Sequence, residues 1–294
     1  MVDKLVSQLS VISDRLVSLL GFVKNKKRET NVLERVYYYF KIWLLMSKNS
    51  FLVMLTQKKL FALFLTGKLV RFAFFSAFLY YLVLGVDRLA GYSVGQTIFF
   101  FLTFNIVDVL AQFLFREVYR FRPLVVSGDF DLILTKPYRA LFRALLGGAD
   151  VIDLATIPLL IAALVYVGSS LNPTVFHTFL FTLLLINGLL ISAAFHIAVL
   201  ALGIITLEID HTIMIYRDLT NLGRLPVDIY KQPLRGIITF FIPVGIMITL
   251  PAKALMGLVT FYGVLFSFVL GITAIGLSLR FWDFALKHYT SASS

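Results

Sequence analysis

No cysteine occurs among the 294 residues. That absence excludes disulfides, thiolate zinc sites, iron–sulfur clusters and cysteine nucleophiles. It says little about compartment. Charge is also scarce, at 15% of residues against about 25% in a typical soluble domain. The phosphate-cradling run Gly-x-x-x-x-Gly-Lys-Ser/Thr is missing. The only Gly-Lys pair, Gly67-Lys68, is followed by Leu69, and Ala62 stands where the earlier glycine is needed. The chain therefore does not bind ATP by that route. His-Glu-x-x-His is absent too, which removes the commonest zinc-hydrolase signature. No soluble domain and no internal repeat is visible. Asp14 and Arg15 interrupt the first apolar stretch and no small-residue cleavage site follows, so no cleavable signal peptide is expected.

What fills the chain is apolar. Hydrophobic residues make up 59% of it, with 29 phenylalanines, and the mean hydropathy is +0.89. Runs of this length and composition cross bilayers as helices. Spans are expected at about 69–85 (or from nearer Leu60, with Lys68 and Arg71 snorkelling), 94–115, 151–170, 175–206, 237–250 and 258–279. Of the 27 Lys and Arg residues, only Arg88 and Lys253 fall on one side of this arrangement. The other side carries the long loops 116–149 and 207–236 and both termini, which the positive-inside rule makes cytoplasmic. The net charge of +11 is thus topological, with anionic lipid as its partner. No basic groove interleaved with aromatic residues supports nucleic-acid binding.

Two amphipathic helices are expected ahead of the spans. Over 2–23, Val2, Leu5, Leu9, Ile12, Leu16 and Leu19 recur at helical spacing, and Lys24, Lys26, Lys27 and Arg28 follow. Over 33–56, Leu33, Val36, Tyr37, Phe40, Trp43, Leu44 and Phe51 share one side. Both read as helices lying in the plane of the interface. The expected organisation is an interfacial segment over 1–31 and a six-span domain over 32–294. The fifth span is short, holds Pro243 and ends at Pro251, so Pro251-Ala252-Lys253-Ala254 reads as a broken or re-entrant element on the outer face.

Three places hold polar groups that suggest function. In span two, Asn105, Asp108 and Gln112 stand at i, i+3 and i+7 and line one stripe. A carboxylate at membrane depth faces protein or water, so the stripe reads either as a translocation path or subunit seam, or as an internal helix–helix bridge. Glu208, Asp210 and His211 form a small acidic/His group after span four, and a hydrogen-bonded helix end is the simpler reading than metal binding or proton transfer. His196, deep in span four, reads as an interhelical hydrogen bond. The third place is the loop after span two. There Gly128 permits a sharp turn, Asp129 and Asp131 can cap, and Phe130, Leu132 and Leu134 offer alternating apolar contacts before Lys136-Pro137. Such patterning reads as a docking element for a cytoplasmic partner, or as a lipid-facing interfacial helix.

The run Ser127-Gly128-Asp129-Phe130-Asp131, followed by Leu134-Thr135-Lys136-Pro137, is similar to the first cytoplasmic loop of the type-two ABC exporter permeases. A second block is Arg224-Leu225-Pro226, Tyr230, Leu234-Arg235, Ile242-Pro243-Val244 and Leu250-Pro251-Ala252. The third runs from Trp282 through Lys287, His288 and Tyr289. In that order they resemble the family across about 35–290, while the helix at 2–23 has no counterpart in its core.

The resemblance implies an all-α membrane protein with six spans, an in-plane helix at 33–56 and an outer re-entrant segment at 250–257. It implies a separate ATP-binding subunit, in two copies, docked on Ser127, Gly128, Asp129, Phe130, Asp131, Lys136 and Pro137. A second permease subunit, identical or related, completes the transporter. ATP and magnesium would belong to the partner, and this chain would hold no cofactor and catalyse nothing. A plasma-membrane location follows. The competing readings are an embedded enzyme acting on a lipid-borne substrate through Glu208, Asp210 and His211, and a receptor or assembly factor. The Phe-rich spans suit an apolar or amphipathic cargo, but drug, lipid, peptide and ion export all remain open.

Overall fold

In hydrocarbon every backbone amide must find its partner within the protein, so long apolar runs have helix as their accessible form. The computed structural model describes residues 32–86, 88–206 and 209–290, and in them the expectation of an all-α membrane protein holds. The expected helix at 2–23, the basic cluster after it and Glu208 lie outside the described residues. By internal contacts the chain divides into two units, Met1–Ile42 and Trp43–Ser294.

The helices are α1 (Val32–Thr56), α2 (Lys58–Val86), α3 (Val94–Phe115), α4 (Phe121–Val126), α5 (Asp129–Leu134), α6 (Ala140–Leu146), α7 (Val151–Ser170), α8 (Val175–Thr206), α9 (Ile209–Asn221), α10 (Leu234–Phe241), α11 (Gly245–Leu255) and α12 (Phe261–Lys287). Side chains set several of their starts. Ser93 and Gln96 form a reciprocal capping box at α3, which satisfies two amides that would otherwise lack partners. Asp150 accepts from the Ile152 amide at 2.8 Å to begin α7. Among the described residues, five stretches are long and apolar enough to cross a bilayer: Lys58–Gly85, Val94–Val126, Val151–Ser170, Val175–Thr206 and Phe261–Lys287.

Within the second unit, α8 is the central helix. It packs on α12 and α11, while α3 packs on α7. The α8–α12 seam is pinned by Asn187, whose Nδ2 donates to the Ser267 carbonyl at 2.9 Å and to its hydroxyl at 2.8 Å. The α8–α11 seam needs Gly188, because a Cβ there would stand 2.5 Å from the Met247 carbonyl oxygen.

Within the region 207–236, expected as a loop on one side, the described residues 209–236 instead pass from one end of the helices to the other. At the end carrying Gly128, Arg122 lies 3.7 Å from Asp210. Nearly two turns further, the Tyr216 hydroxyl meets Ser192 of α8 at 2.8 Å. Arg224 lies over Phe75 and Phe104, 5.7 Å from each ring centre. At the far end the Tyr92 hydroxyl donates to Asp228 at 2.8 Å, just before α3 begins. Hydropathy does not register this passage because α9 carries Asp210, His211, Arg217 and Asp218 among its apolar residues, and a short helix of mixed composition averages out as a surface helix.

The expected fifth span at 237–250 is corrected accordingly. The axes of α10 and α11 differ by 75° across Ile242–Val244. Arg235 and Lys253 both pair with Asp228, the latter at 2.7 Å, so both ends of the pair lie at the Tyr92 end. The re-entrant element thus covers all of Leu234–Leu255. Its bend is at Pro243, where the ring removes an amide donor; Pro251 lies where α11 passes from the π-helical turns of Gly245–Thr249 into the α-helical Leu250–Leu255. Lys231 and Arg235 move with it to the Tyr92 end. Burial opposes ionisation of Asp228, but hydrogen bonds from Lys253 and Tyr92 and the charge of Arg235 outweigh it and hold the carboxyl below the usual range.

Candidate functional site

The loop after α3 owes its shape to Gly128, whose φ of 81° lies in the left-handed region. The turn sends α5 back beside α4. Ser127 closes it, donating from its hydroxyl to Asp129 at 2.8 Å. The expected alternation of apolar contacts gives way to helical spacing. Phe130 and Ile133 turn inward, while Leu132 and Leu134 turn outward. Phe130, expected at the docking surface, is 0% exposed. It packs edge-on to Phe121 at 5.1 Å and Tyr289 at 5.2 Å, and lies 6.4 Å from Trp282. Burial and the neighbouring Asp131 carboxylate push the Tyr289 hydroxyl up to about 12. The sequence blocks at 127–137 and 282–289 are therefore one structural unit, with Phe130 as its anchor. Leu132 (62% exposed), Val126, Ser127, Asp129, Lys136 and Pro137 form its outer surface.

A cavity of about 90 Å³ lies between α2, α3, α7 and α9. Asn105 and Asp108 line it; Asn105 is held by donating to the Phe101 carbonyl at 2.7 Å. Gln112 donates to Asp108 at 2.8 Å and faces an adjoining cavity of about 550 Å³ nearer the Gly128 end. Lys68, Arg71 and Arg217 line both cavities, and Arg224 lines the smaller one. Sequence reading did not bring these four cations together. The available signal was their spacing: Lys68 and Arg71 stand three apart, and Arg217, Asn221 and Arg224 recur at i, i+4 and i+7. Nor does Lys68 snorkel as expected. It pairs with Asp153, whose side chain is 4% exposed, because a carboxylate buried there requires a counter-charge.

The remaining candidates sit apart. Asp210 pairs with Arg122, His211 is exposed, and no group of His, Asp and Glu among the described residues is arranged to hold a metal. His196 is buried with its Nδ1 2.8 Å from the Ser192 carbonyl of its own helix rather than bonded across helices. Its ring packs on Tyr216 at 4.8 Å. The run Gly91-Tyr92-Ser93-Val94-Gly95 has the spacing of a hydrolase nucleophile turn, yet Ser93 spends its hydroxyl capping α3.

A family model described as ABC-2 family transporter protein matches residues 69–293. Neither a curated protein nor a solved structure matches the chain.

Proposed function

The chain belongs to the ABC-2 family of transporter proteins, and on that premise we propose that it is the permease subunit of an exporter whose energy comes from a separate ATP-binding chain. Two permease and two ATP-binding subunits form the transporter in the plasma membrane, with both termini and the Gly128 end cytoplasmic. ATP and magnesium reside in the partner. Residues 1–31 and the exposed apolar residues Leu33, Val36, Tyr37 and Phe40 lie along the membrane interface, and the permease domain follows from residue 32.

The observation that carries this reading is the mounting of α5. Its outer surface is accessible, while Phe130 fixes it to Phe121, just beyond α3, and to Trp282 in the last turns of α12. A partner bound at Asp129, Leu132 and Lys136 therefore pushes on two membrane helices through one aromatic contact. Nucleotide shifts the alternating-access equilibrium only through contacts that differ between its states, and this is the element suited to make them. In that mechanism Asn105, Asp108 and Gln112 face the path.

The test is affinity isolation of the full chain from its native membrane, with mass spectrometry of what accompanies it. A stoichiometric ATP-binding subunit is expected, released by Leu132→Asp. Isolation of the chain without such a subunit in mild detergent contradicts the proposal.

A further inference from the structure

The two adjoining cavities hold more positive charge than the protein neutralises. Lys68 is answered by Asp153 and Arg116 by Asp150. Among the described residues, Arg71, Arg217 and Arg224 have no carboxylate within ion-pair distance, and the one acid between them, Asp108, is bonded to Gln112. Guanidinium groups at membrane depth are costly without a partner, and their planar fork matches phosphate oxygens.

The surroundings are equally specific. Phe75 and Phe104 carry the Arg224 guanidinium on their faces and make an apolar floor. At the wider cavity, Leu63 and Phe64 are exposed and line the wall that also presents Arg71. Charge and hydrocarbon thus meet along one helix, α2, which is the pairing an amphiphile presents in reverse. Arg116 and Arg120 stand at the Gly128 end of that cavity, where the positive-inside bias draws anionic headgroups.

We propose that this pair of cavities receives the phosphate-bearing headgroup of an anionic amphiphile, held by Arg71, Arg217 and Arg224, with its hydrocarbon chain lying outside along Leu63 and Phe64 of α2. The cargo class thereby narrows from drug, lipid, peptide or ion to anionic lipids and similar amphiphiles. This deepens the permease reading and rests on it for calling the ligand a cargo.

The test uses the full chain, purified in a neutral detergent with no ATP-binding subunit present, so that loss of lipid binding and loss of the permease reading are separate results. Binding of dioleoylphosphatidylglycerol is compared with dioleoylphosphatidylcholine by native mass spectrometry, with inorganic phosphate as competitor. At least ten-fold preference for the anionic lipid is expected. Arg71→Gln, Arg217→Gln and Arg224→Gln should each weaken it about five-fold, the effect of one basic residue facing an anionic headgroup. Asp108→Asn should strengthen it by a similar factor, a gain that misfolding does not produce. Equal binding of the two lipids, or unchanged affinity in all three arginine variants, overturns the proposal, as does absence of any gain in Asp108→Asn. Displacement of the lipid by millimolar phosphate also overturns it, because the site would then belong to the free anion.

Discussion

Replacing Phe130 by alanine removes a ring that is fully buried among Phe121, Trp282 and Tyr289. Emptying a buried phenylalanine site costs about 3–5 kcal/mol, and part of that figure here is two edge-on ring contacts worth about 0.5–1.5 kcal/mol each. The site has little room to collapse, since α5 is held by the Gly128 turn at one end and Ile133 is its only other buried residue. Phe130→Ala should therefore lower the thermal midpoint of the purified chain and loosen the 127–137 surface together. Phe130→Leu keeps most of the volume and should lose about 1.5 kcal/mol or less. Leu132→Asp alters only an exposed position, so its stability change should stay within about 0.5 kcal/mol, yet it should release the ATP-binding subunit. Melting and co-purification, measured on the same three preparations, separate anchor from surface. An unchanged midpoint in Phe130→Ala refutes the anchor, and full co-purification in Leu132→Asp refutes the surface.

Three further outcomes are expected. Because the chain lacks cysteine, single cysteines report topology directly: Lys231→Cys should react with an impermeant maleimide from the same side as Arg88→Cys and opposite to Lys136→Cys, whereas a cytoplasmic 207–236 loop predicts the reverse. The depressed Asp228 carboxyl should stabilise the protein above its unfolded value of about 4 and lose that contribution as pH falls through the lower folded value. The wild-type thermal midpoint should accordingly drop more steeply than that of Asp228→Asn below about pH 4, and parallel curves would remove the argument. Lys68→Gln leaves the Asp153 carboxylate buried without its cation and should cost about 3 kcal/mol; Lys68→Met combined with Asp153→Leu should recover most of it in the same melting assay.

Helices α3, α7 and α8 were legible from sequence to the residue, because each is a long apolar run bounded by a capping residue or a turn. The passage through α9 was not. Its amphipathic pattern is that of a surface helix, and only the neighbours (Ser192, Phe104 and finally Tyr92) show that it travels alongside α8 and α3. Phe130 was recognised within its motif but assigned outward, since six residues after a glycine turn fit a period of two as well as one helical turn. The stripe at Asn105, Asp108 and Gln112 was visible because it lies on one helix. The arginines that face it come from α2, α9 and the turn after α9, and only packing brings them together.

Docking of an ATP-binding subunit on α5 is the central claim, and a photo-crosslinker attached at Leu132→Cys in native membranes tests it most directly. The account predicts a single cross-linked species joining this chain to an ATP-binding protein, weakened when nucleotide or magnesium is withdrawn. Cross-links to lipid alone, from a correctly inserted chain, would contradict it.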